Sequence, residues 1–502
     1  MRLPDFALAA LKRTRTLPNE RRAASLDALV VLIAPSDGAF LRRLPESGRW
    51  LTLLARGKPT ALKARSTTLA NPRQTLALLG FTKAGASAFE RLSLAGKLLR
   101  ELASRQPRHI GFIVSEALPD AAQWYEALLT AAWTESFALP NFRSTRAQRW
   151  RLQSIELYAA PELQIARTAA SARAGNLVRT LTAMPPNQLD APTYRRMLVE
   201  LARRHRLTLR WYSLQDLQRL GAGAFLAVAR GNDARTAGIA HLRWRGRTAK
   251  SRGRSPDVAL VGKGILFDTG GINLKPHRSM LDMHTDMSGS AVALASLIAL
   301  SELRVPIAAD AWLAITENNI GPSAYRPQEV VKACNGTTIQ VIHTDAEGRM
   351  VLADTLALAA RTRPRLTIDF ATLTGACVHA LTERYSGVFT NREKLAPRLH
   401  GAGAASGERV WNFPLDEDFD TDLESTVADI VQCAVEGKGD HILAARFLKR
   451  FIGDGNPWIH VDLSSATRRG GLAHVSTEVT GFGVRFTLEL LLSQRLYAAA
   501  NS

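Results

Sequence analysis

Residues 338–360, TIQVIHTDAEGRMVLADTLALAA, change character partway along. Residues 338–342 hold β-branched and apolar side chains and read as a short strand. Residues 351–360 are almost wholly apolar and read as a helix buried on every side. Between them stand His343, Thr344, Asp345, Glu347 and Arg349, the last three alternating with small residues. A strand, a charged loop and a buried helix, in that order, form the unit from which a parallel sheet covered on both faces is built.

The unit repeats to either side. Further strands are expected at 207–212, 238–244, 258–261, 307–315, 366–370 and 458–463, with helices at 193–205, 290–302, 351–360 and 441–452. Ligands in such sheets gather at the carboxyl ends of the strands. Upstream, 28–34 (ALVVLIA) and 109–114 (HIGFIV) read as buried strands, and 87–103 and 121–132 as helices. The fold class expected is α/β in two domains, each a mostly parallel or mixed sheet flanked by helices. The predicted boundaries are 1–160 for an N-terminal domain, 161–185 for a linking helix stopped at Met184-Pro185-Pro186, and 186–502 for a catalytic domain.

Composition agrees with two cores. The chain has 502 residues, 46% apolar and 22% charged, the balance of a folded globular protein. No apolar run reaches the ~20 residues of a bilayer span, and the first residues lack the apolar core of a secretory signal. Cys334, Cys377 and Cys433 stand far apart, which argues against disulfides and thiolate metal sites and for a reducing, cytoplasmic address. The net charge of +20 is uneven: residues 1–250 carry 40 basic and 17 acidic side chains, and the remainder 25 and 28. A basic half raises nucleic-acid binding as an alternative function, as a DNA-binding regulator with or without enzyme activity. Against it, the charge is scattered and no helix-turn-helix, zinc-finger or RNP pattern appears.

A second charged cluster follows the 258–261 strand: VGKGILFDTGGINLKPHRSMLDMHTDM, residues 261–287. It carries Lys263, Asp268, Lys275, Asp282 and Asp286 among glycines. It is no phosphate loop, because G-x-x-x-x-G-K-[ST] is absent. If both clusters lie at the ends of neighbouring strands, Asp268, Asp286, Asp345 and Glu347 converge in one apolar-walled site. Four carboxylates there cannot all stay ionised without cations. Divalent metals answer that need, and an oxygen-rich set suits Mn²⁺, Mg²⁺ or Zn²⁺. A lysine beside them is expected to have a depressed pKa and to serve as a neutral donor.

VGKGILFDTGG, INLKP, DMHTDMSGSA and TDAEGRMVLADTLALA together resemble the leucyl aminopeptidase family of dinuclear metallopeptidases. Weaker similarity extends the resemblance over roughly residues 170–490. It implies a hydrolase that removes N-terminal residues, leucine-like or broad, from peptides with a free amine. By that resemblance Asp268 and Glu347 bridge two metal ions, Lys263 and Asp286 complete one site, and Asp345 belongs to the other. Lys275 and Arg349 are the non-ligand catalytic pair, Lys275 for the oxyanion and Arg349 to hold a bicarbonate acting as general base. Met283, Thr372 and Gly375 line the pocket for the N-terminal side chain. Two departures bear on substrate preference. His343 stands where asparagine is usual, near the second substrate residue, and Ser464-Ser465 replaces a usual Ala-Gly. The resemblance also implies a homohexamer with its active sites facing an interior cavity.

Overall fold

Apolar side chains alternating between two faces build the two large sheets of the protein. In the computed structural model, which describes residues 3, 6–145, 150–232, 236–246, 255–453 and 455–499, the ALVVLI strand sends Ala28, Val30 and Leu32 into one core and Leu29, Val31 and Ile33 into another. Period-two alternation with both faces apolar is the mark of a strand covered on both sides. Arg2, Pro4 and Asp5 of the basic N-terminus lie outside the described residues.

The first sheet has six strands: β1 (Ala10–Thr14), β2 (Ala28–Ile33), β3 (Ala64–Thr68), β4 (Leu76–Phe81), β5 (His109–Val114) and β6 (Ser154–Tyr158), in the order β1-β6-β5-β2-β4-β3. All pairings are parallel except β3 against β4. Helices α1 (Ala88–Ala103) and α2 (Ala121–Glu135) pack on it. Ser87 opens α1 with a capping box, its hydroxyl accepting from Glu90 N–H while the Glu90 carboxylate accepts from Ser87 N–H. Helix α3 (Ile165–Thr182) follows, and most of its residues from Thr168 onward are buried.

The second sheet has eight strands. They are β7 (Thr208–Ser213), β8 (Gly238–Arg245), β9 (Val258–Asp268), β10 (Ala308–Asn318), and, after two short strands described next, β13 (Thr367–Ala371), β14 (Ser386–Thr390), β15 (Val410–Asn412) and β17 (Trp458–Asp462). Their order is β15-β14-β17-β13-β9-β10-β8-β7, and the four central strands run parallel. On one face lie α4 (Ala191–Arg204) and α5 (Ser288–Glu302), and on the other α6 (Glu347–Ala360). A separate three-stranded sheet joins β11 (Val330–Lys332), β12 (Thr338–Gln340) and β16 (Ile430–Val431). Among the described residues no helix is long and apolar enough to cross a membrane.

Two expectations need correction. The strand that leads into Asp345 is not part of the main sheet. It is only three residues long and pairs in the small sheet, so the two charged clusters do not follow neighbouring strands. The carboxylates meet instead because α6 lies across β9. Strand β9 also runs seven residues beyond Val261, since Gly262 to Leu266 stay buried, and it carries Lys263 and Asp268 within it.

Candidate metal centre

Strand alternation sets the position of Lys263. Val261 and Ile265 face the core beneath α6, and Lys263 between them points the same way. Its neighbours Gly262 and Gly264 face α5, where a Cβ on Gly262 would lie 2.5 Å from Gly289 O. Strand and helix therefore touch backbone to backbone, and Asp286, just ahead of α5, comes alongside Lys263. From the other face α6 delivers Glu347 in its first turn, where helical N–H groups favour a carboxylate.

The lysine amines are enclosed by these acids. Lys263 Nζ lies 2.8 Å from Asp286 and 2.9 Å from Glu347 Oε1, and donates to Thr372 O at 2.9 Å. Lys275 Nζ lies 3.0 Å from Asp268 Oδ2 and 2.5 Å from Asp345 Oδ1. Lys263, Asp268, Asp286 and Glu347 are buried, whereas Asp345 is partly exposed. Asp268, Asp286 and Glu347 each offer an oxygen within 4.8 Å of the other two. Glu347 Oε2 is buried without a hydrogen-bond partner. Convergent hard oxygen donors with an unanswered buried lone pair suit divalent cations.

Electrostatics reflect the crowding. Burial pushes the Glu347 and Asp286 carboxyls well up, and the neighbouring Asp268 charge adds to it. Asp345 moves in the same direction for the same two reasons. For Lys263, burial pulls the ammonium pKa down, but Asp286, Glu347 and Asp268 more than offset it and hold it raised. Lys275 behaves likewise under Asp268, Glu347 and Asp345. With carboxylates alone as partners the amines are held charged; the depressed lysine pKa expected from sequence belongs to the cation-filled site, where a neutral Lys263 offers its lone pair. Only a bound cation would invert that field.

Other expected residues take more peripheral places. Thr372 donates its hydroxyl to Asp286 Oδ1 at 2.6 Å, so it is tied to the carboxylate cluster. Met283 is half-buried in a single turn, Met283–Thr285, just before Asp286. Gly375 is exposed at the start of the helix Gly375–Leu381, with open space where a side chain would begin. His343 is exposed and accepts from Asp345 N–H through Nδ1 at 3.3 Å. Ser464 lies inside, its Oγ 3.2 Å from Cys377 Sγ. Arg349 is buried and pairs with Asp440.

Several supporting residues were not anticipated. The Thr344 hydroxyl donates to Gly270 O at 2.6 Å and accepts from Asn273 N–H, locking the two charged loops together. Asn318 Nδ2 donates to Asp268 Oδ1 at 2.8 Å, and Tyr325 donates to Thr344 O at 2.7 Å. Gln432, wholly buried, accepts from the N–H groups of Ile342 and His343 and donates to Ala346 O. Thr344 and Asn273 adjoin residues read as functional, and that adjacency was the available signal. Gln432 and Asp440 lie about ninety positions downstream and had none.

Comparison with known proteins places these features in context. Residues 176–488 match the model of the cytosol aminopeptidase family catalytic domain. A probable cytosol aminopeptidase of Geobacter sp. (strain M21) is 35% identical, over 90% of this chain and 92% of its own. One from Chlorobaculum tepidum is 38% identical over 63% of this chain and 62% of its own. Among solved structures, the bottromycin maturation enzyme BotP in complex with Mn superposes with a TM-score of 0.80 at 30% identity, covering 93% of this chain and 99% of that one. A tomato leucine aminopeptidase variant gives 0.85 at 25% identity, with 98% of each chain covered.

Proposed function

The chain belongs to the cytosol aminopeptidase family and is a metal-dependent aminopeptidase, and from that premise we propose how its residues divide the work. One observation carries the proposal: the buried oxygens of Asp268, Asp286 and Glu347 converge within 4.8 Å, next to two lysines, inside the family's catalytic domain. Asp268 and Glu347 would bridge two divalent ions, Lys263 and Asp286 would complete one site, and Asp345 the other. Mn²⁺, present in the BotP structure, is the first choice, with Zn²⁺ and Mg²⁺ as alternatives. Such a pair supplies Lewis-acid polarisation of the scissile carbonyl and an activated water.

The protein's own side chains supply the rest. Lys275, held charged by Asp268 and Asp345, donates to the oxygen on which negative charge develops. Thr372 orients Asp286, and Met283 and Gly375 border the slot for the N-terminal side chain; the thioether and the open space at Gly375 suit a leucine-like group. His343, beside Asp345 at the surface, meets the next substrate residue. Arg349, expected to hold bicarbonate, instead has both oxygens of the Asp440 carboxylate on Nη2, so an anion of the chain occupies the nitrogen common to both of its forks.

We assign catalysis to residues 186–502, the link to 161–185 and an assembly or nucleic-acid surface to 1–160, in a homohexamer of the cytoplasm, an address that the relatives' descriptions as cytosol aminopeptidases support. Nucleic acid, if a partner, would meet the basic first half, where Arg105, Arg108, Arg143 and Arg151 line one wide cleft. The test is release of a chromogenic group from a leucine anilide by stripped protein given Mn²⁺, Zn²⁺ or Mg²⁺. Release should need metal and vanish with Asp345→Ala or an N-acetylated substrate. Metal-independent release, or cleavage of the acetylated substrate, would refute the assignment.

A further inference from the structure

Arg349 arrives in the site with its charge already answered from within the chain. Its Nη2 donates to both oxygens of Asp440, at 2.8 Å each, and its Nη1 donates to the Gln432 carbonyl at 3.2 Å. The guanidinium is 2% exposed and the carboxylate 26%. Asp440 is the first residue of α7 (Asp440–Lys449), reached through Gly439 with φ at 62°. Gln432 is stapled to Ile342, His343 and Ala346, so Arg349 is held against the loop that carries Asp345 and Glu347.

A planar anion binds a guanidinium through two parallel N–H groups, and both accessible forks of Arg349 include Nη2. With both Asp440 oxygens on Nη2 and the Gln432 carbonyl on Nη1, an incoming anion competes with a carboxylate of the chain for the nitrogen common to both forks. It would also lie beside a carboxylate that already neutralises the only positive charge on that side chain.

We propose that Asp440 is the resident anion of this active site: its carboxylate takes the place at Arg349 expected for bicarbonate, and catalysis runs without the exogenous anion. A carboxylate and a bicarbonate present the same pair of oxygens to a guanidinium, so removing one opens a seat for the other. Asp440 acts through Arg349 and is a positioning residue.

The activity arm of the test rests on the aminopeptidase reading, and a binding arm does not. Leucine-anilide hydrolysis by metal-loaded protein is measured in carbonate-free buffer with and without bicarbonate or formate. Line broadening of ¹³C-bicarbonate is measured on metal-free protein. The native protein should show no activation and no broadening. Asp440→Ala should lose roughly tenfold or more in rate, regain it with either anion, and broaden the bicarbonate signal. Asp440→Asn, which fills the seat without charge, should lose rate and not be rescued.

Activation or broadening with native protein overturns the proposal. So does Asp440→Ala that keeps the native rate, or that is folded but responds to no anion. If Asp440→Ala fails to fold, the native measurements decide alone. Absence of all metal-dependent hydrolysis would fault the functional reading, leaving the binding arm to test the resident anion.

Discussion

Gly348, between two charged residues of the metal centre, has no side chain for a steric reason. A Cβ there would sit 2.6 Å from Lys263 Cε and 2.7 Å from Nζ, an amine pinned by Asp286 and Glu347. Gly348→Ala should therefore leave the fold intact and push Lys263 off its partners, weakening metal binding by roughly 10- to 100-fold. Titration calorimetry with Mn²⁺ would show it, and native affinity in the variant would contradict the crowding. At this scale most of the centre was legible from sequence. Lys263, Asp268, Lys275, Asp286, Asp345, Glu347 and Arg349 all lie in two short segments whose charges make no sense in a core without cations. Asn318, Tyr325, Gln432 and Asp440 were not legible, because a polar side chain acquires its partner only when distant loops meet. The lysine charge state depends on whether carboxylates or cations dominate the field, which the residue types alone do not fix.

Long buried helices were read well, and short strands unevenly. The helices 87–103 and 290–302 emerged close to their observed bounds. In the first sheet β1, β3, β4 and β6 were missed: ALKRT, ARSTT and SIELY carry charge or polarity on short strands, and LALLGF, though wholly buried, is a short apolar run that periodicity does not tell from helix. The small sheet of β12 could not be told from the main one, because three residues carry no record of their neighbours. Two tests belong at this scale. Gly289 lies in the first turn of α5, where a Cβ would sit 2.0 Å from Phe370 O. Gly289→Ala should separate α5 from β13 and cost about 3 kcal/mol, read as a fall in denaturation midpoint. A variant as stable as native would show that the contact is loose.

Asp354, fully buried in α6, accepts from Phe225 N–H at 2.8 Å and Cys334 N–H at 2.7 Å, tying the helix to two other segments. Burial pushes its carboxyl from 3.8 to about 6 against the pull of those N–H groups. The folded protein keeps a proton that the unfolded chain has released, so this contribution to stability is present below pH 3.8 and falls as pH rises to about 6. The change is worth about 3 kcal/mol. Asp354→Asn should remove that fall from denaturation midpoints measured across the window; an unaltered slope would count against the assignment.

Across the whole molecule, the two sheets are joined by more than a connecting helix. Arg179 of α3, buried with its pKa lowered by burial to about 10, donates to Thr134 O in the first half and to the Thr477 hydroxyl in the second. Glu135 accepts from Ser476 across the same junction. Arg179→Ala should destabilise the protein by about 3 kcal/mol while leaving metal affinity unchanged, since the junction lies apart from the carboxylates. An unchanged melting temperature would show the halves to be independent. The two-domain α/β reading was available from sequence because each half supplies its own buried strands, but the polar junction was not. The account as a whole depends on one site per chain where two ions share acids from β9 and α6. The most direct measurement is a crystal of the full chain loaded with Mn²⁺, examined at the manganese absorption edge. Two anomalous peaks per subunit, both against Asp268 and Glu347, are the predicted result; a single peak, or peaks away from those residues, would contradict it.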